Sequence, residues 1–154
     1  MAKKIQPKPS LARNRRARFE YEILETFEAG MVLQGTEVKS IRSGQVQLKD
    51  SYIEIADGEA FLVGAHVSPY SHGNITNHEP ERRRKLLLHR SEIDKIYGRT
   101  AIQGQTCVPL AVYLKGNNIK LEIGLARGKK TRDRRLDLKK RILDREAEAA
   151  LKDR

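Results

Sequence analysis

Cysteine occurs once, at Cys107, so no disulfide can form within the chain. The apolar setting Cys107-Val108-Pro109-Leu110 reads as a small core residue rather than a nucleophile. That usage fits a reducing cytoplasm. Long apolar runs are also missing. No stretch approaches the roughly 20 residues that cross a bilayer. The opening Met1-Ala2-Lys3-Lys4-Ile5-Gln6-Pro7 has a signal peptide's charge without its apolar segment, so neither export nor a membrane partner is expected. The chain shows no nucleophile elbow, no glycine-rich phosphate cradle and no pair of carboxylates that stands out from surface acids. Catalysis and a bound cofactor are therefore disfavoured.

Acidic residues are absent from positions 1–18, which hold seven basic side chains. Positions 127–154 hold twelve basic and six acidic residues, and positions 19–126 hold twelve and fourteen. The net charge of +11 thus sits at the two ends of a nearly neutral body. A surplus kept only for solubility would be spread over the surface, whereas cationic ends on a neutral body suit arms that follow phosphates. Aromatic residues make up only 5% of the chain, too few for stacking successive bases on a sheet of rings, which favours recognition of a folded RNA by shape and backbone.

With 154 residues and 38% hydrophobic content, one modest core is affordable. Pro7, Pro9 and Ser10 without apolar periodicity predict a mobile arm over 1–18. Alternation in Phe19-Glu20-Tyr21-Glu22-Ile23 predicts a strand that Met31-Val32-Leu33 continues. Thr36 is placed to cap a short helix over 36–42, closed by Gly44. Strands over 51–55 and 60–63 flank Asp57-Gly58, a tight-hairpin dipeptide. A long loop over 68–81 and a helix over 91–97 follow. Two further strands over 106–114 and 119–125 are joined by Gly116-Asn117-Asn118. Many short strands with few helices predict a mainly β fold, a small antiparallel barrel over 19–127, with a basic tail over 128–154.

Arg82-Arg83-Arg84-Lys85 is the densest basic run of the body. It grips phosphates beside a strand, or it protects an exposed strand edge from pairing. The first reading is favoured because four consecutive cations repel one another without a counter-charge. His66, His72 and His78 recur every six residues beside Glu79, but zinc sites usually show closer ligand pairs, so no metal is expected. In the tail, a 100° step sets Leu136, Leu143, Ala147, Ala150 and Leu151 on one side and Arg134, Arg141, Arg145 and Lys152 on the other. Such a helix packs its apolar side on the barrel or completes itself on RNA. Two alanines in a five-residue stripe leave little area to dock, which favours RNA.

Several stretches resemble the SsrA-binding protein family: Asn14-Arg15-Arg16-Ala17, Gly35-Thr36-Glu37-Val38-Lys39-Ser40-Ile41-Arg42, Asp50-Ser51-Tyr52, Asn77-His78-Glu79-Pro80, Arg84-Lys85-Leu86-Leu87-Leu88 and Leu125-Ala126-Arg127-Gly128-Lys129-Lys130. The resemblance implies an OB-like barrel that binds the transfer-RNA-like part of transfer-messenger RNA. It also implies delivery of that RNA to ribosomes stalled without a stop codon, with no bond chemistry by the protein, which would be monomeric when RNA-bound. Family RNA-contact positions that match are Asn14, Tyr21, Glu28, Leu87 and Lys120. The charge argument adds Arg15, Arg16, Arg84, Lys85, Lys129 and Lys130. The resemblance further implies a flexible tail that becomes helical on the small subunit, against 16S rRNA in the decoding centre and along the mRNA channel. Gly128 would be its pivot and Arg132, Asp133, Arg134, Arg135, Arg141, Leu143 and Arg145 its contacts. Two positions depart from the family pattern, Arg132 where members often have His and Leu143 where they often have Trp. Two other readings are a general RNA-chaperone or structural ribosomal protein, which would bind many RNAs alike, and a metal-dependent hydrolase on the histidine loop.

Overall fold

The structure, a computed structural model, describes residues 10–70, 77–102, 104–129 and 138–147. In chain order the elements are β1 (Ser10–Arg13), α1 (Arg15–Glu20), β2 (Tyr21–Met31), α2 (Gly35–Arg42), β3 (Val46–Gln47), β4 (Tyr52–Ala56), β5 (Glu59–Val63) and β6 (His66–Val67). Then come β7 (Arg84–Leu87), α3 (Arg90–Thr100), β8 (Gln105–Lys115) and β9 (Asn118–Gly128). A further helix, α4, covers residues 138–147. Seven strands form one antiparallel sheet in the order β1-β8-β9-β2-β7-β5-β4, while β3 and β6 pair separately. The ladder is not closed, since β1 and β4 are its edges, but β4 packs against β8 across the interior. This is the expected mainly β, OB-like class with a few short helices.

Turn chemistry sets the hairpins. Asp57 and Gly58 both have positive φ, 52° and 74°, the conformation that lets a two-residue turn follow the twist of its strands, and β4 pairs with β5 from Ala56↔Glu59 onward. Gly116, at φ 62°, likewise begins the turn that pairs Lys115 with Asn118.

One face of the sheet carries the core. Ala29, Leu62, Leu86, Val112, Leu121 and Ile123 pack there with Ile41 from α2 and Ile96 from α3, all buried. A smaller cluster of Ala17, Val108, Leu110 and Ala126 takes in Tyr21 and Ile23. Both clusters draw odd-numbered residues from β2, and strict alternation would put those residues on one side. A bulge between Ile23 and Glu25 inserts an extra residue and reverses the sense, so Tyr21 and Ile23 face outward and Phe27 and Ala29 inward. A second bulge lies between Pro109 and Ala111 in β8. Gly124 makes the outer packing possible, since a Cβ there would lie 2.9 Å from Leu110 Cδ1 and 3.1 Å from Ile23 Cγ2.

The amino-terminal region differs from the expected arm. Residues 10–13 form an edge strand on β8, and Asn14 begins α1, so the segment from Ser10 onward belongs to the folded body and the first long strand starts at Tyr21 rather than Phe19. A four-residue edge strand and a six-residue helix are too short to leave a period in the sequence. The helix of 36–42 begins at Gly35, after Gln34, whose backbone N–H donates to Glu37 Oε1 at 2.8 Å. Thr36 instead meets His78 Nδ1 at 2.8 Å. Gly44, at φ 75°, does close that helix, its N–H donating to the Ile41 carbonyl.

Candidate nucleic-acid interface

The outer face of the sheet gathers residues that lie far apart in sequence. Gly30 on β2 pairs with Leu87 on β7 and with Lys120 on β9, and Lys120 pairs in turn with Tyr113 on β8. These four positions form a row across four strands. Gly30 gives the row its groove, because a Cβ there would lie 3.3 Å from Leu87 Cβ and 3.7 Å from Lys120 Nζ. Leu87 stands 55% exposed, an apolar side chain held out beside cations. Glu28, two residues along β2 on the same face, pairs with Glu122 on β9. Carboxylates directly opposed destabilise a sheet, and each here has a counter-charge. Lys115 Nζ donates to Glu28 Oε1 at 3.0 Å, Tyr113 Oη donates to Glu28 Oε2, and Arg18 Nη2 donates to Glu122 Oε1 at 3.3 Å.

Two hollows meet at Glu28. Lys85, Leu87, His89 and Lys120 line one of them. The other is larger, about 710 Å³, and is lined by Arg13, Arg15, Arg18, Tyr113, Glu122 and, from α4, Arg141 and Arg145. A ring of guanidinium groups around two carboxylates attracts a polyanion at its rim while keeping phosphates off its centre.

The expected site residues divide by what they touch. Glu28, Leu87 and Lys120 come together on the outer face. Tyr21 faces the same way but is half-buried at the far end of β2, packed beside Ala17 and Val108. Lys85 is partly exposed and pairs with Glu59 at 3.1 Å. Arg15 and Arg16 lie exposed on α1, Arg16 paired with Glu20 at 2.6 Å. Asn14 borders the larger hollow. It is 7% exposed, and its amide is used inside the protein: Oδ1 accepts from Ala17 N–H at 3.2 Å, and Nδ2 donates to the Pro109 carbonyl at 2.9 Å. Its side chain starts α1 and ties it to β8.

Arg84 is a correction. Read from the sequence as a phosphate-gripping cation, it is fully buried, on the inner face with Leu86. Its Nε donates to Glu37 Oε2, and its terminal nitrogens donate to the carbonyls of Ala65 (3.1 Å), Arg82 (2.8 Å) and Pro80 (3.0 Å). Arg82 Nη2 donates to Glu37 Oε1 at 2.6 Å. Burial works to raise the Glu37 carboxyl's pKa, but the bonds from Arg82, Gln34 and Arg84 outweigh it and hold the group below the ordinary glutamate range. The basic run thus leads into β7, and its neighbouring members face opposite ways. Arg83 lies outside, 3.9 Å over the Phe61 ring, and Arg84 inside.

At the carboxyl end Gly128 is still in the ladder, paired with Tyr21, and Lys129 N–H donates to the Glu20 carbonyl at 2.9 Å. Lys129 Nζ donates to the Arg18 carbonyl at 3.2 Å. The ladder therefore extends through Gly128, the last residue of β9, with Lys129 bonded beside it. Lys130, Arg132, Asp133, Arg134 and Arg135 lie outside the described residues. Residues 138–147 are helical, and Arg141 lies 5.5 Å over the Phe19 ring. Leu143 is 55% exposed. Of the histidines, His78 is buried and bonded to Thr36 and the Val67 carbonyl (2.9 Å), His66 lies 3.8 Å from Glu81, and His72 is outside the described residues.

Sequence reasoning missed Tyr113, Lys115, Glu122 and Arg18. The first three were within reach. Once Gly116-Asn117 is taken as a two-residue turn, Lys115 pairs with Asn118, and counting back puts Tyr113 opposite Lys120.

The family model described as SmpB protein matches residues 11–153. The chain is 54% identical over 142 residues to an SsrA-binding protein of Enterococcus faecalis, covering 92% of each. It is 53% identical over 148 residues to one of Acetivibrio thermocellus, covering 96% of each. Among solved structures, an SmpB chain described with tmRNA at the center of the bacterial ribosome is similar with a TM-score of 0.67 at 47% identity. That match covers 78% of this chain and 85% of the other.

Proposed function

Since this chain belongs to the SmpB family, we infer that it binds transfer-messenger RNA and works with it on stalled ribosomes in trans-translation. The observation that carries this reading is the row Leu87, Gly30, Lys120 and Tyr113 with Glu28 beside it, an outward groove rimmed by cations. Lys85, Lys120 and the arginines of α1 take the phosphates of the transfer-RNA-like part. Glu28 and Leu87 supply a polar acceptor and an apolar contact that sort one RNA shape from another. The protein acts as a monomeric RNA-binding factor of the cytoplasm and does no bond chemistry. No helix among the described residues is long and apolar enough to cross a membrane.

The tail has the second task. Its cations, Arg141 and Arg145 on α4 with Arg132, Arg134 and Arg135 before them, suit the rRNA of the small-subunit decoding centre and the empty mRNA channel. The body selects the RNA, and the tail reports to the ribosome that no message is present.

The test is affinity for the transfer-RNA-like domain against a shuffled RNA of equal length, measured over a series of salt concentrations. The slope of log affinity on log salt is expected to be steeper than about −2, and Lys120→Met should make it shallower by roughly 0.7–0.9. Equal affinity for the two RNAs would leave only a general RNA binder and overturn this reading.

A further inference from the structure

Tyr113 is a buried tyrosine, 5% exposed, whose register places it on the outer face opposite Lys120. A phenol shut away from water needs a partner for its hydroxyl. It finds one two strands away, passing over β9 to donate to Glu28 Oε2 on β2. The same carboxylate receives the Lys115 ammonium on Oε1 at 3.0 Å, and the glutamate side chain remains 33% exposed. Each carboxylate oxygen is thus held by a different residue of β8. Burial and the Glu28 charge both raise the Tyr113 pKa, so the hydroxyl stays a proton donor across the physiological range.

We propose that Tyr113 is a positioning residue for RNA recognition, fixing the Glu28 carboxylate so that it accepts hydrogen bonds from the RNA's ribose hydroxyls or base-edge N–H groups. The proposal deepens the reading given above and rests on it. A glutamate on a nucleic-acid surface has a specific problem: left to swing, it repels phosphate in every direction and orders only at an entropic cost when it does find a donor. Anchoring it beforehand removes that cost. A carboxylate has acceptor sites for about four hydrogens, more than the bonds from Tyr113 and Lys115 use. The direction is set by the strands: both anchors lie on β8, so the carboxylate is drawn over β9, beside the positions of Lys120 and Glu122.

The test is a cycle of Tyr113→Phe, Glu28→Ala and the double variant. It reads affinity for the transfer-RNA-like domain and for the shuffled RNA at fixed salt, below each variant's melting temperature. Tyr113→Phe is expected to weaken binding of the specific RNA about tenfold and of the shuffled RNA hardly at all, since a bond to a charged acceptor is lost while no phosphate contact changes. In the Glu28→Ala background the same change should cost less than about twofold. Lys115→Met, at a half-exposed position, should give a smaller loss with the same dependence on Glu28, and serves if Tyr113→Phe fails to fold. Copies of the RNA with scattered 2′-deoxy positions separate the donors: sensitivity to Tyr113 that vanishes with them belongs to ribose, and sensitivity that persists belongs to base edges. An equal loss in both backgrounds, or no loss at all, overturns the proposal. If the wild-type protein itself does not prefer the specific RNA, the underlying reading of the face fails and the proposal with it.

Discussion

Replacing Arg84 alone by Met is expected to lower the melting temperature by roughly 10–20 °C, while the molecules that remain folded bind RNA normally. Breaking a buried ion pair by removing one partner leaves an uncompensated charge, at a cost of about 3–5 kcal/mol. Here the orphan would be Glu37, fully buried, with Arg82 its remaining cationic partner. The carbonyls of Ala65, Arg82 and Pro80 would lose a donor as well. Removing both charges, as Glu37→Leu with Arg84→Met, should recover part of the loss, because the pair's attraction mainly offsets its own desolvation. Thermal melts and an RNA titration below the transition measure both. An Arg84→Met protein with unchanged melting temperature and weakened RNA binding would reinstate Arg84 as a contact.

The same pair gives a pH dependence with a definite sign. The folded-state pKa of Glu37 lies below its unfolded value, so its contribution is fully present above the ordinary glutamate range of about 4.3. It is lost as the pH falls through the folded value. Arg84 stays charged throughout. Stability measured from pH 7 to pH 3 should therefore fall more steeply in the wild-type protein than in Glu37→Gln, and equal slopes would show that the carboxylate is not held down.

Deleting residues 131–154 is expected to leave RNA affinity within about threefold and to reduce tagging on stalled ribosomes to the level seen without protein. Among the described residues the tail adds nothing to the core, since every residue of 138–147 is exposed. The modest change in affinity reflects Arg141 and Arg145, which line the hollow beside Glu28. From position 133 the tail's 22 residues, at about 1.5 Å each, span about 33 Å as a helix. That is long enough to run down a channel. Replacing Asp133, Arg134 and Arg135 together by Ala should stop tagging after RNA delivery, which single-turnover peptidyl transfer on purified ribosomes resolves. Normal tagging by the truncated protein, or loss of RNA binding, would refute the division of labour.

What was legible in the sequence was local. Asp57-Gly58 and Gly116-Asn117 announce their hairpins because positive φ restricts residue choice, and Gly44 marks the end of α2 for the same reason. Arg84 was illegible because its counter-charge lies 47 residues away, and composition alone does not say which member of a basic run turns inward. The capping role of Asn14 was not legible, because a buried cap and an RNA contact use the same residue type. The bulge between Ile23 and Glu25 has no sequence signature at all, yet it decides that Glu28 faces out. Tail composition did foretell the helix, of which 138–147 is described.

The pairing of β1 with β8 has a consequence for the order in which the protein assembles. Ser10 meets Tyr113, and Gly128 meets Tyr21, so β1 and the start of β2 find their places only after more than a hundred further residues have been made. Contacts so distant in sequence form late and slowly. A nascent chain interrupted before β8 and β9 has only β2 on which to seat α1, no Lys120, and no β9 to pair with β2. Such a fragment retains an intact β4–β5 hairpin and exposes its apolar surface to aggregation and proteolysis instead.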